Sequence, residues 1–135
     1  MNAQPRYLPA LGRLLIAAIF ILSGLTKITA PTATQAYIAS AGLPIPLLSY
    51  LAAVAIEVGG GILLVIGFQT RIVAAVLALF TIATALTFHA NFADQNQMIH
   101  FLKNISMAGG LLQVVAFGAG AWSLDTRNNR LAFSA

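Results

Sequence analysis

The sequence predicts an all-α integral membrane protein, a four-helix bundle, and three observations carry that expectation. Hydrophobic residues make up 59% of the chain and charged ones 7%, with a mean hydropathy of +0.89, far from the roughly 25% charged content of an ordinary soluble domain. Apolar runs occur four times, at residues 11–28, 48–68, 72–88 and 99–117, each near the about 17 to 25 residues that a helix needs to cross hydrocarbon. The 135 residues fill one domain, 1–135, with no room beside the spans for a soluble catalytic domain.

The elements follow in order. Arg6 and Arg13 precede the first span as in a signal peptide, but Lys27 follows it, and Ile28-Thr29-Ala30 has isoleucine where a cleavage site wants a small residue. The span is expected to be retained. Residues 29–47 are rich in Thr, Ala and Pro, and Gly42, Pro44 and Pro46 disfavour a full-length helix. One short interfacial helix at 34–41 fits there, with Tyr37 at headgroup depth. The second span carries Glu57 as its lone polar residue between 51 and 68. The short connection at 67–70 makes spans two and three an antiparallel hairpin. Gly118-Ala119-Gly120 after the fourth span lacks the third glycine and preceding strand of a dinucleotide fingerprint, so it reads as a helix exit.

Charge and cysteine content narrow the function. There is no cysteine, hence no disulfide framework, thiolate metal site or cysteine nucleophile. The net charge of +4 is spread over helix ends and flanks, which fits membrane orientation and not nucleic acid. With four spans, Arg6, Arg13, Arg71, Arg127 and Arg130 share one side, against Lys27 and Lys103 on the other. The positive-inside rule then places both termini in the cytoplasm.

Glu57 is the first site candidate, because a carboxylate in a bilayer-length apolar run is costly and needs a partner, a proton or water. At about 1.5 Å per residue it lies roughly 9 to 14 Å below the outer end of its span, and Lys103 about 6 Å below the end of the fourth. Contacts from Glu57 to Lys27 or to Lys103 are both within reach. The alternative is that each lysine snorkels to headgroups and Glu57 is protonated. A polar cluster around 89–104 includes His89, His100, Lys103 and Asn104, the last three on one helix face. A pocket between spans one, two and four, floored by Glu57 and rimmed by this cluster, is the expected site, with Lys27 beside it. His89, Asp94 and His100 supply nitrogen and oxygen ligand types, but their spacing is no ligand signature and a solvated loop accounts for them, so no metal site is assigned. Gly59, Gly60 and Gly61, with Gly109 and Gly110, are read as close helix packing, and the first three also as room for a ligand beside the carboxylate.

Nine short motifs in order span nearly the whole chain: Gly12-Arg13-Leu14-Leu15, Ser23-Gly24-Leu25-Thr26-Lys27, Gly42-Leu43-Pro44, Glu57-Val58-Gly59-Gly60, Gly67-Phe68-Gln69-Thr70-Arg71, Phe88-His89, Phe101-Leu102-Lys103-Asn104, Gly109-Gly110 and Ser123-Leu124-Asp125. Together they resemble the DoxX family of small bacterial inner-membrane proteins. The resemblance implies a multi-pass protein of the bacterial inner membrane, in which Lys27, Glu57, His89, Lys103 and Asn104 match recurring polar positions. The family takes its name from relatives of the DoxD subunit of a thiosulfate:quinone oxidoreductase, and some members are linked to oxidative-stress complexes. Two readings follow. In the first the chain is an accessory subunit of a membrane redox or oxidative-stress assembly, binding a quinone or small sulfur species while a redox partner protein supplies the chemistry. In the second it is a non-catalytic module that binds or transports a small solute. The sequence shows no electron carrier of its own and names no catalytic residue. Its expected partners are the lipid bilayer and either that redox protein or further copies of itself, with no nucleic acid.

Overall fold

The computed structural model describes residues 5–132, and side chains from 5 to 129. It is all-helical among the described residues. Four long helices form the bundle: α1 (Leu8–Thr29), α3 (Pro46–Ile66), α4 (Thr70–Phe88) and α5 (Gln95–Phe117), joined by a short α2 (Pro31–Ser40) and followed by a peripheral α6 (Leu124–Ala132). Each expected span is met by a helix that starts two to four residues before the apolar run, and the second helix ends at Ile66, two residues short of its expected end. The short helix expected at 34–41 begins earlier, at Pro31, because proline is pre-organised for the first helical position. The helices α1, α3 and α4 are long and apolar enough to cross a membrane. The start of α5, Gln95-Asn96-Gln97, is polar and His100, Lys103 and Asn104 follow among apolar residues, so this fourth span is less apolar than the others.

The core lies where α1, α3, α4 and α5 meet, around Ala17, Phe20, Leu64, Val73, Ala74, Leu77, Ala78 and Leu111. Outward faces are apolar as well: Leu15, Leu22, Ile72, Leu79 and Leu112 are all exposed, which a bilayer-facing surface allows and water does not.

Small residues set the helix spacing. A Cβ added to Gly24 of α1 would lie 2.5 Å from Val58 Cγ2 and 3.2 Å from Glu57 Cβ, while one on Gly61 would lie 2.6 Å from Ile21 Cγ1 and one on Gly60 3.0 Å from Leu77. Gly60 and Gly61 are therefore packing residues turned toward α4 and α1.

One end of the bundle is held by a charged clamp. Arg13, which the sequence presents as an orientation charge on the flank, is buried inside α1's second turn. Its Nε donates to Leu64 O at 3.0 Å and its Nη2 to Trp122 O at 2.6 Å. Leu64 is in the last turn of α3, whose carbonyls have no intrahelical donor, so the guanidinium caps that helix. Across the turn, Asp125 accepts from the Gln69 and Thr70 amides at 2.8 and 2.9 Å, at the start of α4. A cation at a helix C-terminus and an anion at the next N-terminus both complement the helix dipoles. Gly67 has φ +70° and an added Cβ there would lie 2.5 Å from Ser123 Cβ, so the turn needs glycine for backbone and for space. The side chain of Arg130 lies outside the described residues.

Candidate functional site

Glu57 sits in a π-helical turn, Ala55–Gly59, that interrupts α3. Such turns widen the helix by one residue and recur at functional sites. Here the turn lies against the close approach of α1 at Gly24, and the carboxylate side chain is 7% exposed. It pairs with Lys27: Nζ is 3.0 Å from Oε1 and 2.9 Å from Oε2. Ser23, one turn before Lys27 on α1, donates to Oε1 at 3.2 Å and accepts from Nζ at 2.9 Å. Lys27 lies in the last turn of α1, where the helix dipole favours a cation. Tyr50 donates to its carbonyl at 3.4 Å. Oε2 is buried against the same ammonium, so the pair is closed on both carboxylate oxygens.

Of the two pairings that helix arithmetic allowed, the structure makes the one with Lys27. Lys103 is exposed and forms no ion pair among the described residues. Both lysines nevertheless face one cavity of about 1190 Å³, which is lined by all six candidates: Lys27, Glu57, His89, His100, Lys103 and Asn104. The shared face of His100, Lys103 and Asn104 on α5 thus borders the cavity, with His100 and Lys103 still exposed. Asn104 bridges to α4 through Thr81 O at 3.5 Å and Thr84 Oγ1 at 3.4 Å. His89 stacks on His100 with ring centroids 5.2 Å apart, and its Nδ1 lies 3.2 Å from Gln97 Oε1.

Three expectations are refined. The cavity is not confined to spans one, two and four: α4 contributes Phe80, Thr81, Thr84 and Phe88, and α2 contributes Thr34, Tyr37 and Ile38. Gly59, Gly60 and Gly61 are not in its wall, so the room beside the carboxylate comes from the spread of the helices and not from those glycines. Asp94 is an exposed loop residue, as expected, and is in addition the N-cap of α5, accepting from the Asn96 and Gln97 amides at 2.8 and 3.3 Å, as short polar side chains do at that position. Ser23, Thr81 and Thr84 are the site residues that the sequence did not single out. Ser23 precedes Lys27 by four residues, the spacing that puts two side chains on one helix face, and that signal was present.

The Asp125 clamp at the far end is acidic by design of its surroundings. Burial pushes its carboxyl up, but hydrogen bonding from Thr70 and from the Gln69 amide, with the Arg13 guanidinium, outweighs that effect and holds it below the ordinary carboxylate range.

The arrangement is an apolar-walled chamber with an ion pair at its floor and two imidazoles and a free ammonium at its rim. The described residues hold no group of three or more His, Cys, Asp or Glu placed to bind a metal ion. Comparison with known proteins gives one consistent result. The DoxX family model matches residues 8–90. The chain is 39% identical over 121 residues to the inner membrane protein YqjF of Escherichia coli, covering 87% of this chain and 89% of that one. It is 38% identical over 123 residues to the E. coli inner membrane protein YphA, covering 87% of each. No solved structure matches. Helices, motif order and sequence identity thus agree, and the chain belongs to the DoxX family of membrane proteins.

Proposed function

We propose that this protein is an accessory subunit of an inner-membrane redox or oxidative-stress assembly, holding a quinone-like molecule or small anion in the Glu57 cavity while a partner protein supplies the oxidoreductase chemistry. The observation that carries the binding reading is the combination of a buried Lys27–Glu57–Ser23 floor with apolar walls in a chamber of about 1190 Å³. Small-molecule sites are concave, mostly apolar, and oriented by a few placed polar groups. The redox reading rests on the family resemblance. In it, Glu57 handles a proton, and Lys103 or His89 orients a quinone oxygen or an anion, roles that suit charged groups in a low-dielectric chamber. Inner-membrane location follows the two E. coli relatives, and the excess of arginine on one side supports an orientation with both termini cytoplasmic.

A second reading, a non-catalytic binding or transport module, is favoured by one observation: the Lys27–Glu57–Ser23 group is largely satisfied within itself and can serve to fix helix register. A co-purified quinone whose absorbance responds to reductant separates the two. The binding reading is tested by thermal stabilisation against a panel of quinones, thiosulfate and related anions, comparing the parent with Lys103→Met. Lys103 is exposed and without an ion pair among the described residues, so the variant should fold. Stabilisation should rise with ligand concentration by mass action in the parent and vanish in the variant. No shift in the parent, or an equal shift in both, contradicts the site.

A further inference from the structure

The chain has three acidic residues, Glu57, Asp94 and Asp125, and each is engaged. Glu57 is closed against Lys27. Asp125 accepts from the Gln69 and Thr70 amides at the far end of the bundle. Asp94 caps the first turn of α5 through the Asn96 and Gln97 amides, nine residues before Lys103 and so about 13 Å from it in helix rise. Lys103 lines the chamber and forms no ion pair among the described residues. The other polar groups at that rim add no negative charge. His100 lies one turn before Lys103 and stacks on His89, whose Nδ1 is 3.2 Å from Gln97 Oε1, and the Asn104 amide is turned to Thr81 and Thr84 of α4.

The floor pair is neutral as a whole, so the chamber carries one uncompensated formal charge, and it is positive. The walls around it include Phe20, Ala53, Phe80 and Met107. Low-dielectric walls focus the field of such a charge and concentrate molecules of the opposite sign. The volume of about 1190 Å³ suits a whole organic molecule, whose sites take about 300 to 1,000 Å³. A bare inorganic anion would leave the apolar walls without a partner.

We propose that the ligand is an organic monoanion, with one carboxylate-type head held at the rim by the Lys103 ammonium beside His100, and an uncharged apolar body lying against Phe20, Phe80 and Met107. This rests on the cavity being a ligand site and adds the ligand's charge and its orientation. It also divides the work of the two lysines: Lys27 neutralises Glu57 within the fold, and Lys103 recognises the ligand.

The test is isothermal titration of the full chain in an uncharged maltoside detergent. Its probes are two matched pairs, 2-naphthoate with 2-naphthamide and decanoate with decanamide, together with thiosulfate and a short-chain ubiquinone. A hydrogen bond to a charged group is worth about tenfold or more in affinity. At least one acid should therefore bind the parent about tenfold or more tighter than its amide. That ratio should fall to about one in Lys103→Met and return in Lys103→Arg, and comparing parent with variant cancels partitioning into the micelle. A larger ratio for 2-naphthoate identifies a free aromatic acid as the source of the head, and a larger ratio for decanoate identifies a lipid-derived acid. A ratio of about one in the parent overturns the anionic head and leaves Lys103 as a lysine that seeks lipid headgroups. A ratio that survives in Lys103→Met overturns the Lys103 contact, and thiosulfate binding as tightly as the acids overturns the apolar body. Binding of the quinone with neither acid bound overturns the monoanion alone. If no probe binds the parent, the chamber is not a ligand site, a failure distinct from that of the charge.

Discussion

Glu57 and Lys27 show how a membrane helix tolerates a carboxylate: charge is paired to charge, and Ser23 bonds to both. Removing one member of a buried pair strands the other, at about 3 to 5 kcal/mol when both are fully desolvated. The Lys27 side chain is 26% exposed, so the cost here falls at or below the low end of that range. Glu57→Gln should therefore lower the melting temperature more than the double change Lys27→Met with Glu57→Gln, and a double-mutant cycle should show coupling, whereas additive shifts would contradict the pairing. Ser23→Ala should cost about 1 kcal/mol, as loss of a part-buried hydrogen bond does. Glu57 was legible in the sequence because no other polar residue shares its run. Its partner was not, because rise per residue fixes depth but not azimuth, and the π-helical turn at Ala55–Gly59 resets the direction of the side chain.

At the scale of elements, the α3–α4 hairpin is held by Arg13 on one side of its turn and Asp125 on the other. The hairpin itself could be read from the shortness of its connection. The clamp could not, since an arginine near the start of a span reads equally well as an orientation charge, and only the tertiary fold brings residue 13 beside residues 64 and 122. Asp125 titrates below its ordinary value, so its stabilising contribution is complete above about pH 3.9, the unfolded carboxyl value, and is lost as pH falls through the lower folded value. Thermal melts of the parent should lose this contribution only in that acid range. Asp125→Asn should melt lower at neutral pH and lack that acid-dependent component, and identical pH profiles for the two would contradict the clamp. Gly24→Ala should also destabilise, because the new Cβ meets the stiff Val58 side chain at 2.5 Å, with loss of the Lys27–Glu57 geometry as the accompanying effect.

At the scale of the whole molecule, composition and the lengths of the apolar runs made the four-helix membrane architecture legible, and the same-face spacing of His100, Lys103 and Asn104 anticipated one side of the cavity. The contribution of α2 and α4 to its walls was hidden, because Thr34, Tyr37, Thr81 and Thr84 look like ordinary span and loop residues until the helices are packed. Topology makes its own prediction: single cysteines at Ala33 and Ala93 should react with an impermeant thiol reagent in intact cells and one at the exposed Asn129 should not, and labelling at Asn129 alone would invert the orientation. The central claim is that the chamber above the Lys27–Glu57 pair holds a small molecule, and native mass spectrometry of the gently extracted protein tests it most directly. The parent should carry a discrete added mass that Lys103→Met loses. A parent that flies bare, or an adduct that persists unchanged in the variant, would contradict the account.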